Sequence, residues 1–149
     1  MLIIKPLTEE YIEEVSLIEA QSFSMPWKSE DFLNMISHDY AHYYVALCDG
    51  EVIGCCGVIS SFEDGDVSNV VIKEEYRGRG HGEQMLTYIM EDCRKKGIVN
   101  FTLEVRPSNT AAVSLYKKLG FEECGIRKNF YEKPTEDALI MWLRASEEK

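Results

Sequence analysis

Short runs of alternating or β-branched apolar residues recur along the chain and predict a sheet of about seven strands. The predicted strands are Leu2–Lys5, Tyr43–Cys48, Val52–Ser60, Val67–Ile72, Val99–Val105, Glu122–Ile126 and Ala138–Leu143. Asp49-Gly50 separates the second strand from the third, and this dipeptide is typical of a tight hairpin turn. We therefore expect the strands up to Ile72 to form an antiparallel meander.

Between these strands, apolar residues recur every three or four positions and predict four helices. The first follows Thr8 with Tyr11, Ile12, Val15 and Ile18; the second follows Ser29 with Phe32, Leu33 and Ile36; the third carries Met85, Leu86, Ile89, Met90 and Cys93 and ends at Gly97; the fourth is Thr110–Leu119. Thr8 and Ser29 are predicted N-caps, because a hydroxyl can accept a bond from a free N–H of the first turn.

The order of elements changes after the third helix, where a strand, a helix and a strand follow one another. This order is typical of parallel strands joined by right-handed crossovers. The chain is therefore predicted to be one α/β (α+β) domain over residues 1–149, with a mixed, mostly antiparallel sheet, a parallel pair in its middle and helices on both faces. Asn129–Thr135 is predicted to be a loop, and Arg144–Lys149 a polar tail that frays.

The charge balance narrows the classes of partner. The chain has 26 Asp and Glu residues against 16 Lys and Arg residues, which gives a formal net charge of −10. Such a charge disfavours a nucleic-acid or anionic membrane surface and suits a cationic amine or a basic peptide. The N-terminus is apolar only over Met1–Ile4, so neither a signal peptide nor a membrane span is predicted.

The five cysteines indicate a reducing compartment. They are Cys48, Cys55, Cys56, Cys93 and Cys124, and no two of them have the CxxC spacing. Each lies within an apolar run, which predicts buried thiols and argues against a disulfide framework or a zinc site. We expect a cytoplasmic protein without a bound metal.

A turn rich in Arg and Gly separates the fourth strand from the third helix. It contains Arg77, Gly78, Arg79, Gly80 and Gly82, so guanidinium groups lie beside backbone that has no side chain to obstruct a ligand. A helix begins directly after it, and the N–H groups of a helix N-terminus that lack intrahelical partners attract anions. The turn is therefore predicted to hold a phosphate or a pyrophosphate.

Two familiar phosphate-binding patterns do not fit this turn. The P-loop requires Lys followed by Ser or Thr after the glycines, and no such pair follows the glycines of this turn. The dinucleotide fingerprint requires Gly or Ala at the position of Glu83 and an acidic residue about 20 positions later, where Ile98–Asn100 lie. An ordinary Gly-rich turn between strand and helix remains as the structural alternative.

Four more polar or aromatic side chains are candidates for a functional site. Glu104 alternates with the apolar positions of its strand, and the pattern alone favours a solvated carboxylate. Tyr116 lies on the apolar stripe of the fourth helix, and the pattern alone favours a core tyrosine. Asn109 or Ser108 is the predicted N-cap of that helix. Trp27, in the loop after the first helix, either anchors that loop or lines a substrate wall.

Arg77-x-x-Gly80-x-Gly82 after a strand resembles the acetyl-CoA pyrophosphate loop of the GNAT superfamily of N-acetyltransferases. Further segments resemble the RimI-type alanine N-acetyltransferases of ribosomal proteins: Phe23–Trp27, Asn69–Ile72, Leu103–Asn109, Leu115–Phe121, Arg127–Tyr131 and Glu136–Ala138. The resemblance runs from about Phe23 to Leu143. It has two departures: His81 replaces the usual aliphatic residue of the loop, and Phe130 stands where a Tyr is frequent.

This resemblance implies a role for each matching residue. Glu104 corresponds to the general base and Tyr116 to the general acid. The implied cofactor contacts come from the backbone of Val70, Val71 and Ile72, from the loop residues Arg77, Gly78, Arg79, Gly80, His81, Gly82 and Glu83, and from Asn109. The aromatic residues Trp27, Phe130 and Tyr131 are expected to form the wall against which an acceptor peptide lies.

Together these observations predict an enzyme that transfers acetyl from acetyl-CoA directly to an N-terminal α-amine. The expected acceptor is a ribosomal protein that begins with Ala, and the expected assembly is a monomer or a weak homodimer without direct nucleic-acid or membrane contact. Two alternatives stay open: a GNAT enzyme acting on a small amine such as a polyamine or an antibiotic, and a non-catalytic acyl-CoA-binding sensor.

Overall fold

The structure is a computed structural model that describes residues 1–145. Seven strands form one sheet: β1 Leu2–Pro6, β2 Ala41–Cys48, β3 Glu51–Ser61, β4 Asp64–Ile72, β5 Asn100–Val105, β6 Glu122–Tyr131 and β7 Glu136–Leu143. The helices are α1 Ile12–Ser22, α2 Ser29–Met35, α3 His81–Lys95 and α4 Thr110–Lys118, with single 3-10 turns at Glu9–Tyr11 and Glu74–Tyr76. None of the described helices is long and apolar enough to cross a membrane.

The sheet has the predicted mixed topology. Its strand order is β1-β2-β3-β4-β5-β7-β6. The first four strands form the predicted antiparallel meander, and β4 and β5 are the parallel pair. Because β7 returns antiparallel between β5 and β6, the strand after α4 lies at the edge of the sheet and is not a neighbour of β5.

Side chains that alternate along the central strands fill two cores, one on each face of the sheet. Along β2, Tyr44 and Ala46 face the core formed with α3 and α4, whereas Tyr43 and Val45 face the core formed with α1 and α2. The apolar residues of α3 are almost fully buried, and each side chain of this kind stabilises the fold by about 1.5–3 kcal/mol. Helices therefore cover both faces, as predicted.

The predicted side-chain caps Thr8 and Ser29 were wrong. The Thr8 side chain makes no capping hydrogen bond, and a 3-10 turn precedes α1. Ser29 is the first residue of α2 and follows the N-cap Lys28, whose backbone N–H donates to Asp31 Oδ2 at 2.8 Å. The side-chain hydrogen bond at the start of α2 is therefore made by a carboxylate at the third helical position, not by a hydroxyl at the N-cap.

The chain after residue 128 also differs from the prediction. The first part of the predicted loop Asn129–Thr135 continues β6 as far as Tyr131, which pairs with Glu136 of β7 after a register shift. Asn129 in that stretch has a positive φ of 52°. Cys124 is exposed because β6 is an exposed edge strand, and Cys48, at the end of β2, is only half-buried. The prediction of buried thiols was therefore wrong for these two cysteines. Of the predicted tail, residues 146–149 lie outside the described residues.

Candidate active site

The parallel pair opens a gap in the middle of the sheet. β4 and β5 are paired only through Asp64–Asn100, Gly65–Phe101 and Asp66–Thr102. Beyond these pairs β4 continues to Ile72 and β5 to Val105, each bonded only to its outer neighbour. The carboxyl-terminal halves of the two strands therefore border a cleft, where backbone groups of β4 have no strand partner.

A bulge distorts β4 beside this cleft. In the register of β3 with β4, Val71 is opposite Cys55 and Ser68 is opposite Gly57, so β4 has one residue more than β3 between these pairs. Asn69 lies at the bulge with a left-handed φ of 55°. A bulge of this kind turns backbone groups away from the ladder.

The Arg/Gly turn lies at the end of β4 and leads directly into α3. Gly80 is the N-cap of α3 in a left-handed conformation, with φ of 84°, and no side chain caps the helix. Gln84 N–H donates to Gly80 O at 3.1 Å, so the N–H groups of His81, Gly82 and Glu83 precede the first intrahelical bond. The N-terminus of α3 therefore has free N–H groups of the kind that attract an anion.

The two arginines of the turn have different surroundings. Arg77 Nε donates to Ile72 O at 2.7 Å and its Nη2 donates to Ser22 Oγ at 3.0 Å, so Arg77 joins the turn to β4 and to the end of α1. Arg79 is exposed and lies over the Tyr76 ring, 5.6 Å from its centroid. Arg77 is exposed as well, but its guanidinium is committed to these two bonds, so Arg79 is the freer of the two to contact a ligand.

Glu104 lies near the carboxyl end of β5, in the part of the strand that borders the cleft. Its Oε2 is 3.0 Å from Arg127 Nη2, with 21% of the Glu104 side chain and 58% of the Arg127 side chain exposed. The Arg127 guanidinium also lies over the Phe130 ring. Partial burial and the Glu104 carboxylate raise the pKa of Asp66, the last residue of β4 paired with β5, while Arg127 lowers it.

Tyr116 belongs to the core side of the cleft. It is 6% exposed and packs against Phe121 with ring centroids 5.8 Å apart. Burial raises the pKa of Tyr116, and Cys56 and Tyr131 raise it further. Its hydroxyl is therefore protonated at neutral pH, and it has no hydrogen-bond partner within residues 1–145.

Asn109 is the N-cap of α4, as predicted, because its Oδ1 accepts from Ala112 N at 3.2 Å. The carbonyl end of the side chain is thus used within the helix. The amide NH₂ remains as a donor at the surface.

The three aromatic residues of the predicted acceptor wall divide between two places. Trp27 is half-buried in the second core, stacked on Tyr43 with centroids 5.9 Å apart. Phe130 and Tyr131 pack edge to face at the end of β6. Ser24 Oγ donates to Glu132 O at 3.3 Å, so the loop that carries Trp27 contacts the β6–β7 turn.

Arg106, just after β5, fixes the turn between β6 and β7. It donates to Glu132 O and Pro134 O, each at 2.9 Å, and its guanidinium lies 4.5 Å from the Tyr131 ring centroid. Glu136 accepts from Ser108 N and Oγ and pairs with Arg106 at 3.3 Å. Burial first, and then nearby Glu104, raise the pKa of Tyr131 to about 12. Tyr131 is thus held near Glu104.

Sequence reasoning missed four residues that shape this region: Glu19, Asn69, Arg106 and Arg127. A signal existed for three of them, because Asn69, Arg106 and Arg127 belong to the segments that carry the family resemblance. The contact of Glu19 with Asn69 joins residues 50 positions apart, and no spacing rule predicts it.

Comparison with known proteins identifies the family. Residues 10–121 match the profile of the acetyltransferase (GNAT) family. A Bacillus subtilis (strain 168) protein, provisionally named a ribosomal protein bS18-alanine N-acetyltransferase, is 43% identical over 139 residues, which cover 93% of this chain and 92% of that protein. The ribosomal protein bS18-alanine N-acetyltransferase of Escherichia coli (strain K12) is 31% identical over 133 residues, covering 87% and 88%.

Solved structures agree with this result. The crystal structure of the ribosomal-protein-S18-alanine N-acetyltransferase from Escherichia coli has a TM-score of 0.90 at 27% identity, covering 100% of this chain and 97% of that one. Ard1 from Thermoplasma volcanium has a TM-score of 0.89 at 23% identity, covering 98% and 99%, and shares the fold. The predicted fold and enzyme class are confirmed, and the chain belongs to the acetyltransferase (GNAT) family.

Proposed function

We propose that this acetyltransferase moves the acetyl group of acetyl-CoA to the N-terminal α-amine of a ribosomal protein that begins with Ala. The observation that carries the proposal is a carboxylate, Glu104, at the end of β5, in a sheet gap whose other border is the bulged β4. The names of the two relatives described above support the choice of acceptor. A ribosomal-protein acceptor implies action in the cytoplasm.

The anionic part of acetyl-CoA fits the start of α3. The free N–H groups of His81, Gly82 and Glu83, the left-handed Gly80 and the exposed Arg79 offer donors and positive charge to a pyrophosphate. The unpaired edge of β4, from Val70 to Ile72, offers backbone partners to the extended arm of the same molecule. Arg77 contributes indirectly, because its guanidinium is bonded to Ile72 O and Ser22 Oγ.

Direct transfer requires a base for the acceptor. An α-ammonium with a pKa of about 7.7–8.0 must lose a proton before its nitrogen can attack the thioester carbon. Glu104 takes that proton, directly or through a water. Arg127 neutralises Glu104 before the acceptor arrives, and the incoming ammonium group competes with this guanidinium for the carboxylate.

The other half of the reaction breaks the carbon–sulfur bond. The sulfur leaves with the bonding electron pair, and Tyr116, whose raised pKa keeps its hydroxyl protonated at neutral pH, donates that proton to it; the second proton that the nitrogen loses as the amide forms restores the Tyr116 hydroxyl. The carbonyl oxygen gains negative charge on the way, and a backbone N–H at the β4 bulge, of Val70 or Val71, is placed to stabilise it. No covalent enzyme intermediate is needed, and burial keeps the Cys55 and Cys56 thiols protonated by raising their pKa.

The acceptor peptide is proposed to lie between the Trp27 loop and the Phe130–Tyr131 end of β6. Trp27 supports this wall from within the second core, while Phe130 is 42% exposed and offers an apolar surface. Glu136 is committed to Arg106 and Ser108, so selection of basic residues rests on Asp66, Glu104 and Asp137. We retain a monomer or weak homodimer as the expected assembly, which sedimentation at several concentrations checks.

A peptide panel tests the proposal. CoA release is measured with a peptide that begins with free Ala, with the same peptide acetylated at its N-terminus but containing Lys, and with polyamines. Only the first should be turned over. Equal turnover of the two peptides would contradict the α-amine assignment, preference for a polyamine would favour a small-amine enzyme, and acetyl-CoA binding without any turnover would favour a sensor.

A further inference from the structure

A buried carboxylate lies behind the β4 bulge. Among residues 1–145, Glu19 of α1 is the one charged residue less than a tenth exposed, at 3%. Burying a charge without a cationic partner is costly, and burial raises the pKa of Glu19. The proposed reaction does not use this group as an acid or a base. The presence of the Glu19 carboxylate at this buried position therefore requires another explanation.

Glu19 connects two elements that border the cleft. Its Oε2 accepts from Asn69 Nδ2 at 3.1 Å and from Trp27 N at 3.4 Å. Its Oε1 is buried and has no partner among the described residues. One carboxylate thus contacts both the bulge of β4 and the loop that carries Trp27.

Asn69 is held on its other side as well. Its Oδ1 accepts from Tyr43 Oη at 2.8 Å and from Ser68 Oγ at 2.8 Å. Its left-handed backbone is disfavoured for a residue with a Cβ, although Asn tolerates it better than most. The Asn69 side chain therefore makes three hydrogen bonds, one of them to Glu19, and these bonds offset the strain at this position.

We propose that Glu19 is a positioning residue of the acetyl site: through Asn69 it fixes the β4 bulge in the conformation that presents a backbone N–H to the acetyl carbonyl. This inference rests on the proposed function, because it assigns the bulge to the acetyl group. Glu19 itself touches neither the acetyl group nor the acceptor. Its bond to Trp27 N fixes the acceptor loop relative to the same bulge.

The acetyl group distinguishes this role from general stabilisation. Acetyl-CoA and CoA share every contact except those to the acetyl group, so the ratio of their dissociation constants reports the contacts at the bulge. Loss of the tether should weaken acetyl-CoA binding relative to CoA binding and lower kcat together, since the same N–H stabilises the transition state. A merely structural Glu19 would lower the melting temperature and leave the ratio unchanged.

Four variants separate the contributions of tether and backbone. Glu19→Ala removes the carboxylate, whereas Glu19→Gln retains an oxygen that accepts from Asn69 or Trp27. Asn69→Ala removes the tether and keeps the strain, whereas Asn69→Gly removes the tether and relieves the strain. Glu13→Ala, at an exposed position of α1, is the matched control.

The measurements are calorimetric titrations with acetyl-CoA and with CoA, steady-state kinetics with the Ala-initiated peptide, and thermal melts. We expect Glu19→Ala and Asn69→Gly to lose about tenfold or more of kcat and most of the preference for acetyl-CoA. Glu19→Gln should recover most of both, and Glu13→Ala should match the wild type. If Glu19→Ala does not fold, Asn69→Gly tests the same tether from its other end.

Two results would overturn the inference. One is folded Glu19→Ala with the wild-type kcat and the wild-type preference for acetyl-CoA. The other is Asn69→Gly with full preference, which would mean that the backbone conformation needs no tether. A wild-type protein that binds acetyl-CoA and CoA equally and acetylates no peptide would instead contradict the proposed function.

Discussion

Replacing Gly57 with Ala should force the Tyr43 ring out of its place in the second core. The two residues are directly opposite each other in β3 and β2. A Cβ on Gly57 would lie 2.2, 2.4 and 2.5 Å from three atoms of the Tyr43 ring. Ordinary contact between carbon atoms begins at about 3.5 Å, so the ring or the strand must retreat by about 1 Å.

The free-energy cost follows from what the ring contacts. Tyr43 is 5% exposed, and its hydroxyl donates to Asn69 Oδ1 at 2.8 Å. A displacement of about 1 Å stretches this bond beyond hydrogen-bonding distance, which costs about 1 kcal/mol in addition to about 1–3 kcal/mol for the overpacked core. The sum of about 2–4 kcal/mol corresponds to a fall in Tm of about 5–15 °C for a chain of this length.

Urea and thermal unfolding of Gly57→Ala measure this cost. Gly125→Ala is the matched control, because a Cβ there meets only Ile140 Cδ1 at 3.9 Å, an ordinary contact. Adding Tyr43→Leu to Gly57→Ala should restore part of the stability, since the smaller side chain frees the space that the new methyl needs. A Tm for Gly57→Ala within about 2 °C of the wild type would refute the steric argument.

The remaining predictions concern the active site and pH. Glu104→Gln should lower kcat/KM about 10²–10⁴-fold at neutral pH, with a smaller loss at high pH where free amine is abundant, as steady-state pH profiles check. Tyr116→Phe should lower kcat with little change in acetyl-CoA affinity, and unchanged turnover per folded molecule would remove the proposed acid. Arg79→Ala should weaken acetyl-CoA binding about tenfold in low salt without changing Tm, whereas Arg77→Ala should lower both affinity and Tm, because Arg77 joins the turn to β4 and α1. Because burial raises the folded pKa of Glu19 above 4.5, the stability that its bound proton contributes is fully present below that pH and is lost as pH rises through the folded pKa, so Glu19→Gln should gain stability relative to the wild type as the pH rises above 4.5, as thermal melts at several pH values check.

The periodic part of the fold was predictable because it depends on local burial. Alternation along β5 and the helical stripe of α3 each identify a buried face from a few neighbouring positions. The Asp49-Gly50 turn was equally clear, since both residues have a positive φ, 51° and 85°. Capping was less predictable, because the side chain of Asp31 satisfied the start of α2 in place of Ser29.

The parts that could not be predicted depend on contacts between distant segments. Insertion of β7 between β5 and β6 places the end of β6, with Tyr131, against Arg106 and near Glu104. Nothing within β6 indicates this neighbour. Arg77 is a second example. The composition of its turn predicted a phosphate contact, but its guanidinium donates to Ile72 O and to Ser22 Oγ, and Ser22 lies 55 positions earlier in the chain.

The short pairing of β4 with β5 has a mechanical consequence. Within residues 1–145, three residue pairs join the four-stranded half of the sheet to the three-stranded half, so bending at this seam deforms few backbone bonds. A ligand that contacts both halves across the gap acts as a clamp whose strength adds to that of the seam. At a concentration 100 times its Kd, such a ligand stabilises the folded chain by about 2.7 kcal/mol. Addition of the ligand should therefore slow hydrogen exchange more for the amides on the cleft side of β4 and β5 than for the amides of the outer strands. The reason is that the ligand joins the two halves where the sheet is weakest.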